Sequence, residues 1–338
     1  MDVKKPAKAG LVSNAGLFPH CLENSEMEKR YPNLDILRLL LALEVVIAHV
    51  WNELDSNFDW NPWVMAVPAF LGISGFLVLK SFSESGSWKD FAKKRFLRIV
   101  PALLVSFALS YALVGPQFAM NSMITWLTGG LVTLEKASNL PLWSLLWEEI
   151  AYATLAILWL CGAYKRVAWI WALFFASTAF VIFSTRYTAY VHTVALLPAA
   201  FFCGNLMYLY RRQLTRVNAW LPWVALIIVL VSKPMIRDYL PLPPAMFQAF
   251  FIVWAGIAGK PLITFRFPDL SYGAYIYHFP VMIYVIYFLG YSSPLAGSLV
   301  IAALLASICI VSWYAIEKPA LKLKPPKRPR PAGQQQVA

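Results

Sequence analysis

Charged side chains are scarce in this 338-residue sequence: they make up 14% of it, where a soluble globular domain carries about 25%. Hydrophobic residues reach 59% and the mean hydropathy is +0.59, which excludes an ordinary soluble domain. Cysteines with paired spacing are missing too. Cys21, Cys161, Cys203 and Cys309 stand apart and three lie in apolar runs, so neither a disulfide framework nor a metal site is expected. No continuous apolar stretch occurs in the first thirty residues, and residues 1–32 read as a cytoplasmic tail rather than a cleaved signal peptide. Segments alternating in polarity are absent, which excludes a β-barrel. There is no repeat of 20–50 residues and no separate soluble domain.

What is present is a series of apolar runs of about 17–21 residues, each long enough to cross the hydrocarbon core of a bilayer. The expected fold is all-α: a polytopic membrane helical bundle. Its spans are placed near 33–51, 62–82, 99–116, 143–162, 167–184, 191–210, 217–232, 244–259, 271–290 and 295–315. About ten transmembrane helices put both termini on one side. The segments on the side of the N-terminus, counting Lys80 at the end of the second span, hold 24 Lys and Arg and the opposite segments 4, so both termini are expected in the cytoplasm. That one-sidedness also answers the net charge of +12, which belongs to topology and not to nucleic acid. Residues 33–316 form the membrane domain, and 317–338 a basic, Pro-rich cytoplasmic tail expected to be disordered near anionic lipid. The run KPMIRDYLPLPP (233–244) reads as either a surface loop or a broken helix.

The first span, LDILRLLLALEVVIAHVW (34–51), carries Arg38, Glu44 and His49. A charge at the centre of such a helix costs roughly 2.5–3.5 kcal/mol, so intramembrane charges face protein or water and mark function. Arg38 and His49 are eleven residues apart. That spacing puts them on one helix face about 16 Å apart, with Arg38 in the inner half of the membrane and His49 near the outer end. Asp35 is close enough to pair with Arg38. Glu44 faces elsewhere, and its role stays open. Each residue taken singly also fits an interfacial or snorkelling position.

With these residues the chain resembles acyltransferase family 3, whose first helix bears an Arg, ten residues and a His after a Leu-Asp-x-x-Arg start, here Leu34, Asp35, Arg38 and His49. Further matches follow in order: Ser74-Gly75-Phe76, the basic segment with Arg95, Arg98 and Pro101, then Trp143, Ser144 and Glu148 in PLWSLLWE. SYGAYIYHFP with His278 and the closing Glu317-Lys318-Pro319 complete the set, so the resemblance extends from about residue 34 to 320. Glu44 departs from the family pattern, as does Gly72, which stands where Phe is more usual and is expected to widen a cavity. No hydrolase-like domain follows the last span, so acceptors that need such a partner domain are not expected.

The resemblance implies an O-acyltransferase of the bacterial cytoplasmic (inner) membrane. It would move an acyl group, typically acetyl, from cytoplasmic acyl-CoA to a hydroxyl of a surface glycan or glycolipid. Acyl-CoA is then a donor substrate, with no permanently bound cofactor; the partners are the bilayer, the donor and the acceptor, not nucleic acid. O-acyl transfer needs a base for the acceptor hydroxyl, and histidine suits that task. His49 is the expected base, and Glu148, placed in the same outer zone, is expected to orient it or to bind the acceptor. Arg38 would line the passage between the two sides. Arg95 and Arg98 suit coenzyme A phosphates, with Ser74 beside them, although a cytoplasmic topology anchor accounts equally for two arginines beside Lys93 and Lys94. Trp143, Ser144 and His278 are further candidates: an interfacial aromatic, an acyl-carrying nucleophile, and a histidine either catalytic or merely hydrogen-bonded. His20 and His192 have no supporting context. Two other readings stand beside the enzyme, a multi-pass transporter of a sugar, lipid or acyl compound, and an inactive homologue acting as a sensor.

Overall fold

The structure, a computed structural model, describes residues 30–55, 64–85, 87–132, 137–236, 244–263, 265 and 267–325. Residues 1–29, with His20 and Cys21, residues 326–338, residues 56–63 and most of 233–244 lie outside the described residues, whereas the start of the C-terminal segment expected to be a disordered tail is helical at Lys318–Lys322.

Every regular element among the described residues is helical. In chain order they are α1 (Pro32–Leu54), α2 (Ala66–Ser83), α3 (Trp88–Leu113), α4 (Pro116–Thr128), α5 (Trp143–Leu160), α6 (Val167–Ser184), α7 (Ala189–Leu209), the single turn α8 (Arg211–Leu214), α9 (Leu221–Ile236), α10 (Pro244–Ala258), α11 (Ser271–Ile283), α12 (Pro294–Ser312) and α13 (Lys318–Lys322). α11 and α12 each run on into a wide π-turn, at Tyr284–Phe288 and Trp313–Glu317. Five segments, Ala66–Ser83, Trp88–Leu113, Val167–Ser184, Ala189–Leu209 and Pro294–Lys322, are long and apolar enough to cross a membrane. α1 has the length, but Asp35, Arg38, Glu44 and Glu53 interrupt its apolar surface.

One helix was not expected. After Gly115, whose positive φ of 129° breaks the chain, α4 turns back and packs against α3 and α5. With 13 residues it is too short to cross a bilayer, and it buries Asn121, Ser122 and Thr125 beside Phe118. A hydropathy reading assigns such a polar, short segment to a loop.

Helix starts follow local chemistry. Pro32 opens α1, where its missing N–H costs nothing. Ser87 caps α3 by accepting from the Asp90 backbone N–H at 3.1 Å. Asn33 joins two elements: its amide donates to the carbonyls of Gly259 and Lys260 at the end of α10 and accepts from the Leu262 N–H at 2.9 Å. The approach to α11 is thereby tied to the foot of α1.

The proline inside α11 is compensated from outside the helix. Pro280 removes the donor that would serve the Ile276 carbonyl. Ser106 of α3 and Asn139, just before α5, donate to that carbonyl instead, at 3.0 and 2.8 Å. The kink therefore binds three elements together.

The core contact is backbone against backbone. A Cβ at Gly75 of α2 would run into the Phe201 carbonyl of α7, and one at Gly204 of α7 into the Gly72 carbonyl. Gly72 itself packs on Ala249 and Val253 of α10, so the glycine expected to widen a cavity serves close packing instead. Neither Gly75→Ala nor Gly204→Ala can be absorbed by a side-chain shift. Each should lower stability by about 2 kcal/mol or more, read as the thermal midpoint of the detergent-solubilised protein. A wild-type midpoint in both would contradict the contact.

Candidate active site

Two cavities lie at different levels of the same four helices. The inner one, named for the side expected to face the cytoplasm, encloses about 370 Å³ and is lined by Arg38 of α1, Ser74, Lys80 and Glu84 of α2 and its C-cap, Arg95 and Arg98 of α3, Glu148 and Tyr152 of α5, and Asp269, Tyr272 and Lys324. The other, about 230 Å³, is lined by Glu44 and His49 of α1, Met65 to Pro68 at the start of α2, Trp143 of α5, Thr193 of α7 and Tyr275 of α11. The Phe70 ring of α2 lies 5.6 Å from the Tyr275 ring of α11, and Tyr275 lines the second cavity. The residues expected to share one continuous path are thus divided between two cavities.

Charge in the inner chamber is organised around Asp269, in the segment just before α11. Its Oδ2 accepts from Arg98 Nη2 at 2.6 Å and Arg38 Nη1 at 3.2 Å, and its Oδ1 from Ser271 Oγ at 2.7 Å. Burial by itself would raise this carboxyl; Arg98, Arg38 and the Ser271 bond outweigh it and hold it well below the usual carboxylate range. Asp35, expected beside Arg38, pairs with Arg30 at 2.8 Å instead. Helix spacing allowed the local pair, but the interior carboxylate from residue 269 meets a guanidinium that points into the bundle. Lys80 pairs with Glu84. Arg95 makes no salt bridge among the described residues; its Nη2 donates to Ser81 Oγ at 2.9 Å and its guanidinium lies over the Tyr152 ring. The lining thus holds five basic side chains against three acidic ones, Glu84, Glu148 and Asp269.

Glu148 belongs to this chamber, not to that of His49. Its carboxylate accepts from Ser74 Oγ at 2.6 Å and from the Tyr152 hydroxyl. Five residues separate it from Trp143, which does face the outer chamber. Five residues turn a helix through about 140° and advance it about 7.5 Å, enough to change both neighbour and level. Glu149, next in sequence, faces a third, largely apolar cavity of about 590 Å³ between α3 and α5.

In the outer chamber His49 Nδ1 lies 2.8 Å from His278 Nε2, with the two rings nearly parallel. His278 is fully buried, and its Nδ1 lies 3.1 Å from the Ala274 carbonyl one turn back. Sequence spacing within one helix could not reveal this pair, because the partners are 229 residues apart. Glu44, expected to face elsewhere, also reaches the chamber and accepts from the Val64 N–H at 3.0 Å. Val64 and Met65, just before α2, line the chamber beside Glu44 and His49. Ser144 is buried with its Oγ 2.8 Å from the hydroxyl of Tyr275, and it is not among the residues lining the chamber of His49. His192 lies 3.0 Å from Ser184 Oγ at the α6–α7 turn, outside both chambers.

A profile described as an acyltransferase domain, that of acyltransferase family 3, matches residues 31–317. Nodulation protein 10 of Rhizobium leguminosarum bv. viciae is 27% identical over 360 residues, covering 86% of this chain and 94% of that protein. An O-acetyl transferase of Shigella phage Sf6 is 26% identical over 329 residues, covering 87% and 97%. No solved structure matches the chain.

The Asp269 cluster yields a stability prediction. A depressed carboxyl contributes stability that is complete above about pH 4 and is withdrawn as pH falls toward its folded-state value. Asp269→Asn leaves two guanidiniums converging on a neutral amide and should cost about 3 kcal/mol at neutral pH. Thermal unfolding at pH 7 and at about pH 2 checks this: the gap between wild type and variant should narrow at the lower pH, and a constant gap would contradict it.

Proposed function

Because the chain belongs to acyltransferase family 3, we propose that it transfers an acyl group, most simply acetyl, from cytoplasmic acyl-CoA to a hydroxyl of a surface glycan or glycolipid. In this reading the bundle crosses the bacterial cytoplasmic membrane ten times with both termini inside. The observation that carries it is the pair of chambers, a cationic one and one holding His49, set at opposite ends of the same helices. The O-acetyl transferase among the relatives supports the reaction class.

In the inner chamber Arg95, with no carboxylate held against it, is the principal phosphate ligand, and Arg98 and Lys80 add field while bound to their own acids. Lys324 closes the same wall. The pantetheine arm runs along α1 past Arg38 toward His49, a rise of about 16 Å, and passes the Phe70–Tyr275 contact. His49 Nε2 takes the proton from the acceptor hydroxyl as the oxygen attacks the thioester carbonyl, and the coenzyme A thiolate leaves. The proton then returns to the thiolate, so the base is regenerated. Trp143 and Tyr275 offer apolar faces and Glu44 a carboxylate for sugar hydroxyls. Glu148, tied to Ser74 and Tyr152, shapes the donor side near Arg95. The placing of the arginines and of His49 in separate cavities favours transfer between two bound substrates over transport through one open path.

His49→Ala should abolish transfer of radiolabelled acetyl from acetyl-CoA to membrane glycans while the protein accumulates normally; wild-type labelling would take His49 out of the chemistry. Arg95→Ala should weaken donor use about tenfold or more for acetyl-CoA and much less for acetyl-pantetheine, which lacks the nucleotide phosphates. Equal losses with both donors would show that Arg95 does not read phosphate.

A further inference from the structure

We infer that His278 is a positioning residue that holds His49 in the one tautomer able to act as a base, doing with a neutral ring what a carboxylate does in a Ser-His-Asp triad. The inference rests on the reading of His49 as the base.

The argument follows the protons. The Ala274 carbonyl can only accept, so His278 Nδ1, 3.1 Å from it, carries the hydrogen and donates. In a neutral imidazole the other nitrogen is then an acceptor, and His278 Nε2 presents a lone pair. His49 Nδ1 lies 2.8 Å from that lone pair and must be the donor. His49 Nε2 is left without a hydrogen, free to take one from a substrate. Reversing the pair would aim an unprotonated Nδ1 of His278 at a carbonyl oxygen, lone pair against lone pair. A peptide carbonyl on α11 thus decides which nitrogen of a side chain on α1 is basic.

The surroundings leave this task to His278. Among the described residues no carboxylate lies within 4 Å of either histidine. The ionisable groups facing the pair are Glu44 of α1, which lines the same chamber, and Tyr275 of α11, whose hydroxyl is engaged with Ser144 of α5. Phe279 packs edge-on to both imidazoles, at 5.7 and 6.2 Å, and restrains their planes. Without His278, the His49 ring is free to rotate and to place its hydrogen on either nitrogen.

The experiment compares wild type with His278→Ala, His278→Gln and His278→Asn in the same detergent preparation, using acetyl-CoA and a defined glycan acceptor. His278→Ala should lower kcat by about 100-fold or more, with KM for acetyl-CoA unchanged within about threefold because the donor chamber is elsewhere. His278→Gln, whose side-chain oxygen can accept from His49 Nδ1, should recover at least tenfold of the loss, and this variant keeps the test alive if the alanine variant fails to fold. Retention of kcat within threefold in His278→Ala, or equal losses in Ala, Gln and Asn variants, would overturn the positioning role while leaving His49 as the base. Loss of KM and kcat together would equally overturn it, as the mark of a merely structural histidine. The chain has four histidines, so 15N spectra of histidine-labelled wild type resolve the tautomer directly. A His49 hydrogen on Nε2 would overturn the inference without any turnover measurement, whereas wild type inactive toward every acceptor would instead overturn the acyltransferase base reading.

Discussion

One carboxylate, Asp269, sets the geometry of the inner half of the molecule. Two guanidiniums from different helices, Arg38 and Arg98, reach the same oxygen, and Ser271 holds the other. In a low-dielectric interior those guanidiniums repel one another unless an anion lies between them. The feet of α1, α3 and α11 are consequently pinned at one level. From that level α1 and α11 rise side by side, and eleven residues on from Arg38, nine from Asp269, His49 meets His278. The two ends of the candidate site are therefore linked through the rise of two paired helices.

The outer half depends on a different economy of hydrogen bonds. Pro280 costs α11 a backbone donor, and the Ile276 carbonyl is served by Ser106 and Asn139 from outside the helix. Two residues earlier in the helix, the Ala274 carbonyl serves His278. The same stretch of α11 thus anchors α3 and the lead-in to α5 on one side and the His49 ring on the other. Nearby, α2 and α7 approach to backbone contact through Gly72, Gly75 and Gly204, which sets the wall on which Ser74 meets Glu148.

Much of the site was legible as residue types. An Arg and a His on one apolar helix, an Arg-x-x-Arg at the foot of another and a carboxylate inside a third all announce themselves, because apolar helices rarely tolerate them. Partnership was less legible. Asp35 is the obvious mate for Arg38 by spacing, yet Arg30 takes it and Asp269 takes Arg38. Depth along the helix groups Glu148 with His49, yet a turn of about 140° from Trp143 carries it into the arginine chamber. Glu44 moved the other way, into the chamber of His49. α4 escaped notice because it buries polar side chains on a short helix, and hydropathy weighs only the average.

The sequence by itself determined the helical class, the positions of the apolar runs and the family, since these follow from composition, run length and motifs read in order along one chain. Tertiary structure alone decided which acid holds which arginine, that Glu148 and His49 line separate cavities, and that His49 and His278 share a hydrogen bond across 229 residues. The physical reason is one of range. Helical periodicity fixes where a side chain points relative to its own axis, within a few residues. Which side chain waits for it on the neighbouring helix depends on tilt, rotation and close approach, set here by glycines at the α2–α7 contact, by Asn33 at the foot of α1 and by one shared carboxylate.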